Sequence, residues 1–181
     1  MQQNSNNSIE FERTFLAKEV PAELRSSLPE RMVDVYFPDD LGVHPQLRAR
    51  RRGQTYEITK KTPIVNGDVS QQLEQTIPLG SGEFASLITG HTRLVEKDRY
   101  KVYIGTFEAE VDVFSGELEG LVLIDFEFAS KEAMDAFVMP AVCLAEVTQE
   151  NFVAGGLLAG RAYADIAKDL ARFNYQPLHV A

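Results

Sequence analysis

The stretch "IEFERTFL", residues 9–16, sets two acids two positions apart and a threonine two further on. Side chains alternate along a β-strand, so Glu10, Glu12 and Thr14 share one face while Phe11 and Phe15 lie on the other. The pattern returns along the chain: Arg48 and Arg50 against Leu47 and Ala49, Thr59 with Lys61, Gln72 and Glu74 about Leu73, and Lys97 with Arg99. It returns again in Glu110 and Asp112 about Val111 and Val113, and in Asp125 and Glu127 among Ile124, Phe126 and Phe128. A single such strand fits an antiparallel sheet with one wet face. Repetition through the chain also fits a sheet closed into a barrel, with the charged face inward and helices over the apolar face. An eight-stranded barrel has room inside for side chains or one small ligand.

Strands are expected near 9–17, 32–37, 46–52, 55–61, 71–78, 93–97, 99–105, 107–114, 120–129 and 143–148, with a hairpin turn at Gly53 and a loop at Gly116. Short helices are expected at "PAELRSSL", with Pro21 at its start, at "SGEFASLITG", with Ser81 as N-cap and Gly90 past its end, and at "SKEAMDAFV", capped by Ser130. The longest helix is expected over 149–172. Residues 1–8 read as a disordered polar tail and 9–181 as a single domain; no repeat or linker divides them. The class is α+β.

If the charged faces converge, the acids Glu10, Glu12, Glu74, Glu110, Asp112, Asp125 and Glu127 meet the bases Arg48, Arg50, Lys61, Lys97 and Arg99. Crowded carboxylates raise one another's pKa unless a cation holds them. Carboxylates without His or Cys partners suit hard cations such as Mg²⁺ or Mn²⁺. Arg and Lys suit phosphate oxygens. A lumen with both fits a metal–polyphosphate complex.

Composition narrows the rest. A net charge of −9 disfavours a nucleic-acid backbone binder, so no nucleic-acid partner is expected and "RARRR" reads as part of a strand, with Arg51 outward. The lone Cys143 excludes an internal disulfide and fits a reducing, cytoplasmic setting. It reads as a small buried residue. No apolar run approaches the roughly 20 residues that span a bilayer, and "MQQNSNNS" does not read as a signal peptide. His44, His91 and His179 are scattered and read as uninvolved. "AGGLLAGRAY" lacks the Gly-Lys-Ser/Thr ending of a P-loop and reads as close helix packing.

"EFERTFL" resembles the Glu-x-Glu-x-Lys signature that opens the CYTH, or triphosphate tunnel metalloenzyme, superfamily. In the same order, "LRARRR" resembles the paired-arginine strand, "YEITKK" the Thr-x-Lys strand, and "QLEQTI" a Glu-x-Glu strand. "EKDRY" resembles the Lys-x-Arg strand, "EVDVF" the Glu-x-Asp strand, "GLVLIDFEF" the next acidic pair, and "AEVT" the segment before the C-terminal helix. The likeness covers roughly residues 9 to 150. It implies an eight-stranded antiparallel β-barrel, a tunnel open at both ends with a charged lumen, and a metal-dependent triphosphatase. Glu10, Glu12, Asp125 and Glu127 would hold Mg²⁺ or Mn²⁺; Arg48, Arg50, Lys61, Lys97 and Arg99 would hold the triphosphate. Glu110 and Asp112, with Lys97 and Arg99, would serve catalysis, and Glu74 and Glu146 would be further tunnel acids.

Three positions depart from the pattern: Thr14 stands for the signature lysine, Gln72 for a glutamate, and Asp125 for a glutamate. The missing lysine implies slow hydrolysis of inorganic triphosphate or preference for an organic one. The alternatives are a class IV-type adenylate cyclase making cyclic AMP, and a polyphosphate- or nucleotide-binding module without turnover. The partner is a triphosphate-containing small molecule; no membrane association is expected, and a homodimer is compatible with the sequence.

Overall fold

Strands dominate the chain, as the alternation requires. The structure is a computed structural model that describes residues 7–65 and 68–180. The strands are β1 (Asn7–Ala17), β2 (Glu30–Phe37), β3 (Leu47–Arg52), β4 (Thr55–Val65), β5 (Asp68–Leu79), β6 (Leu94–Ile104), β7 (Phe107–Phe114), β8 (Val122–Phe128) and β9 (Cys143–Glu146). They form one antiparallel sheet in the order β5-β4-β3-β2-β6-β7-β8-β1-β9, and pairing of β5 with β1 closes the first eight into a barrel. Closure leaves little free sheet edge. On β1, residues 7–11 pair with β5 and 15–17 with β9, while 11–16 pair with β8 on the other side. Asn7 and Ser8 already belong to β1; the rest of the expected polar tail, residues 1–6, lies outside the described residues. The two strands expected at 93–97 and 99–105 are one continuous strand, β6.

The helices are short: α1 (Ser81–Ile88), α2 (Lys131–Asp135), α3 (Gly155–Leu158) and α4 (Tyr163–Ala171), with 3-10 turns at Ala22–Ser26, Gly116–Leu118 and Asn151–Val153. Ser130 caps α2, its hydroxyl accepting the Ala133 N–H at 3.3 Å. At α1 the cap position falls on Gly80, whose N–H donates to Glu83 at 2.6 Å, and Ser81 is the first helical residue. The long helix expected over 149–172 is a 3-10 turn and two helices instead. Gly160, at φ +80°, turns the chain between α3 and α4. Gly156 lies so close to Pro45 that a Cβ there would stand 2.6 Å from Pro45 Cγ.

Two apolar clusters follow from the two faces of the strands. The outer faces of β1, β6, β7 and β8 give Phe15, Tyr100, Val102, Val111, Ile124 and Phe126, covered by Leu24 and Phe137. The second cluster begins inside the barrel. Beyond the charged residues of their inner faces, β1, β2, β6, β7 and β8 each end in an apolar one: Leu16, Tyr36, Val95, Phe114 and Leu123. Val147, Phe152, Val153 and Leu158 pack onto this layer. One end of the barrel therefore carries a cover, residues 147–156, most of which also line the cavity. Arg93, 1% exposed, fastens the cover: its guanidinium donates to the carbonyls of Gly156 (2.7 Å), Pro38 (3.1 Å), Val43 (2.8 Å) and Asp40. Among the described residues no helix is long and apolar enough to cross a membrane.

Candidate active site

The inner face encloses a cavity of about 560 Å³ lined by the alternating charged residues of all eight barrel strands. The acids and bases are sorted into three ion-pair groups, each built by strand register. On β2 and β3, Asp34 stands opposite Arg50. Its carboxylate accepts Arg50 Nε at 2.6 Å and a terminal Arg50 nitrogen at 2.7 Å, and Arg48 lies 4.0 Å away. Burial pushes Asp34 up, but Arg50, Arg48 and Lys97 outweigh it and hold the carboxyl well below the usual range.

On β6 and β7, Arg99 stands opposite Asp112 and Lys101 opposite Glu110. Asp112 accepts from Arg99 at 2.6 and 2.7 Å and from Lys97; Glu110 accepts from Arg99 and pairs with Lys101 at 2.9 Å. Burial raises Asp112, and Arg99 and Lys97 more than reverse it. Glu110 is lowered in the same way, against burial, by Arg99 and Lys101. On β1, β4 and β5, Lys61 lies between Glu10 at 2.6 Å and Glu74 at 3.2 Å.

What remains is acidic. Glu12 faces Glu127 across β1 and β8, and Glu110 faces Asp125 across β7 and β8. Like charges in such pairs are destabilising. Among the described residues Glu12 and Glu127 make no hydrogen bond or ion pair, and Asp125 Oδ1 is buried with no hydrogen-bond partner. Burial, then Glu12 and Asp112, push Asp125 up to about 8. Glu127, at the exposed rim, is also pushed up by the surrounding wall and by Glu110, Glu12 and Glu10. Among the described residues no three His, Cys, Asp or Glu side chains are gathered into a ready cation cage. Carboxylates spread along the walls instead suit a hard cation that keeps waters and shares phosphate oxygens. The uncompensated acids and the orphaned Asp125 oxygen fit such an ion.

Thr14 lies on the lumen face opposite Asp125, where it brings no charge. Gln72 lies opposite Glu10, and its amide donates to the Val69 carbonyl at 2.9 Å. A carboxylate there would add to the repulsion on Glu10.

The expected charged lumen residues of β1 and β3 to β8 line the cavity, while Thr59 lies buried against Thr76 at 3.0 Å. Glu146 does not. Register places it opposite Phe15 on the outer face, where it accepts Arg13 Nε at 3.0 Å. Asp34, Glu57, Arg52 and Lys101 line the cavity and were missed. Lys101 and Arg52 were legible, since each extends a run of bases at every second position. Asp34 was not, because its neighbours on that face are Met32 and Tyr36. His44, read as uninvolved, lines the covered end, where the loop before β3 folds back. Arg51 is exposed as expected, and Cys143 is buried, its thiol pushed up to about 12 by burial.

Comparison with known proteins agrees with this geometry. No family model matches the chain. An inorganic triphosphatase from Nitrosomonas europaea is 34% identical over 144 residues, 78% of this chain and 91% of that protein. The crystal structure of an inorganic triphosphatase superposes with a TM-score of 0.61 at 28% identity, covering 83% of this chain and 94% of the other. A candidate adenylate cyclase from Bacillus halodurans shares the fold, with a TM-score of 0.54 at 18% identity over 90% of this chain and 98% of its own. A closed barrel with paired acids and bases on its inner face is the architecture of a triphosphate tunnel enzyme. The chain belongs to the CYTH, or triphosphate tunnel metalloenzyme, superfamily.

Proposed function

We propose that the protein is a metal-dependent triphosphatase that cleaves the terminal phosphoryl group of a triphosphate inside the barrel. The observation that carries this reading is the segregation of charge on the inner wall: guanidinium and ammonium groups held in place by acids, beside Glu12 and Glu127, which make no ion pair among the described residues, and Asp125, which has only a 3.6 Å contact with Arg99. Arg48 keeps one donor without a protein partner: its Nε is buried and makes no hydrogen bond, its nearest acid, Asp34, is 4.0 Å off, and Tyr36 is its hydrogen-bond partner. Arg48 and Arg50 on β3, Lys61 on β4, and Lys97 and Arg99 on β6 bind the phosphate oxygens by charge-assisted hydrogen bonds. Glu10, Glu12, Asp125 and Glu127 would hold Mg²⁺ or Mn²⁺, which when bound neutralises phosphate charge as it develops.

Glu110 and Asp112 are already neutralised by Lys97, Arg99 and Lys101. They serve to fix those bases rather than to take a proton. Phosphoryl transfer passes through a loose transition state, so positioning and charge stabilisation carry most of the rate. Water attacks the terminal phosphorus, the bridging P–O bond breaks, and inorganic triphosphate yields pyrophosphate and phosphate. With threonine at position 14, the expected rate on inorganic triphosphate is modest, and an organic triphosphate could make up the missing contact.

The test is a turnover screen of inorganic triphosphate, ATP and other organic triphosphates with Mg²⁺ and with Mn²⁺, with the products identified. Release of phosphate supports the reading. Cyclic AMP with pyrophosphate from ATP, or tight binding with no product, overturns it.

A further inference from the structure

Asp34, like Asp112, is only 1% exposed on the cavity wall, and unlike Asp112 it belongs to none of the acidic pairs that mark the other strands. It takes both the Nε and one terminal nitrogen of Arg50 in a fork, while the other terminal nitrogen of Arg50 makes no hydrogen bond among the described residues. Arg50 is itself 3% exposed. The same carboxylate lies 4.0 Å from Arg48, so one anion sits between two guanidiniums that leave the same strand two positions apart. Without it, the two cations would repel each other and swing apart.

We infer that Asp34 is a positioning residue for the triphosphate site: it locks the Arg50 guanidinium so that its free edge faces the substrate, and it holds Arg48 beside it. The fork fixes the guanidinium plane, because the two N–H···O bonds leave it no rotation. The arrangement exchanges ground-state attraction for order. Asp34 cancels one positive charge next to the phosphates, which weakens binding of the trianion or tetraanion, and in return supplies a donor already aimed when charge develops.

The inference rests on the triphosphatase reading and makes an unusual kinetic demand. Asp34→Asn keeps the shape of the side chain and removes its charge. It should bind inorganic triphosphate severalfold more tightly, seen as a lower KM and as a lower Kd by calorimetry in the presence of chelator. It should also lose more than tenfold in kcat. A fork that only joined β2 to β3 would give the opposite sign for binding, with KM and kcat worsening together as the melting temperature falls. That outcome, or no change in either constant, overturns the inference. Arg50→Lys provides a second arm should Asp34→Asn fail to fold. It keeps the charge without the fork, so kcat should fall more than tenfold while KM stays within about threefold, and an unchanged kcat overturns the inference. In the double variant the two losses of kcat should not add. If wild-type protein turns over no triphosphate with any cation, the triphosphatase reading fails. Calorimetry then decides on Asp34 alone: tighter triphosphate binding by Asp34→Asn supports its role, and equal or weaker binding overturns it.

Discussion

Arg48 and Arg51 belong to the same run of basic residues, yet the pleat gives them different environments. Arg48 points into the cavity with its Nε buried and unpartnered, and Arg51 is exposed. Truncating Arg48 to alanine should cost triphosphate binding on the order of 1.5–3 kcal/mol, the worth of a hydrogen bond to a charged group. Arg51→Ala should leave the affinity unchanged. Calorimetric titration of both variants with inorganic triphosphate checks this, and equal losses would contradict the inward–outward assignment. Position 14 shows what one residue removes from the same wall. Threonine stands opposite Asp125 and brings it no positive charge, and Asp125 Oδ1 is buried without a hydrogen-bond partner.

At the scale of elements, the strands were readable because a period of two survives any topology. The charged pairs of β1 and β3 to β8 fixed which face turned inward once the sheet closed. Asp34 escaped because Met32 and Tyr36 flank it on its face, and no charged pair signals it. Glu146 misled because its side depends on the register of β9 against β1, a long-range pairing that local spacing does not contain. The broken C-terminal helix has the same origin. Apolar residues at helical spacing suggest one long element, but Gly160, at φ +80°, turns the chain between α3 and α4, and Gly155 and Gly156 pack so close to Tyr36 and Pro45 that a side chain at either would collide. Gly156→Ala should therefore destabilise the cover over the barrel end by about 1–3 kcal/mol, the cost of overpacking. Denaturant unfolding of the variant measures it. An unchanged midpoint would mean that the cover shifts without loss.

For the molecule as a whole, the two kinds of buried acid act in opposite directions with pH. Asp34 and Asp112 lie below their unfolded values, so their stabilisation is full above about pH 4 and is lost as pH falls further. Asp125, raised to about 8, favours the folded state below about pH 4 and progressively loses that contribution as pH rises toward 8. In chelator, the melting temperature should decline from pH 5 to pH 8. Divalent cation binding the folded state should restore it by mass action, with a larger gain at pH 8 than at pH 5. Thermal melts at both pH values, with and without Mg²⁺, report it. A gain independent of pH would place the cation away from Asp125.

On the proposed function, the acidic side of the barrel wall around Glu12 and Glu127 holds the cation that makes triphosphate cleavage possible. The most direct measurement is phosphate release from inorganic triphosphate across a Mg²⁺ titration, for wild-type protein and for Glu12→Gln. The wild type should be silent in chelator and active with Mg²⁺, and Glu12→Gln should need roughly tenfold or more Mg²⁺ for half its maximal rate. Turnover in chelator, or an unchanged Mg²⁺ requirement in a folded Glu12→Gln variant, would contradict the account.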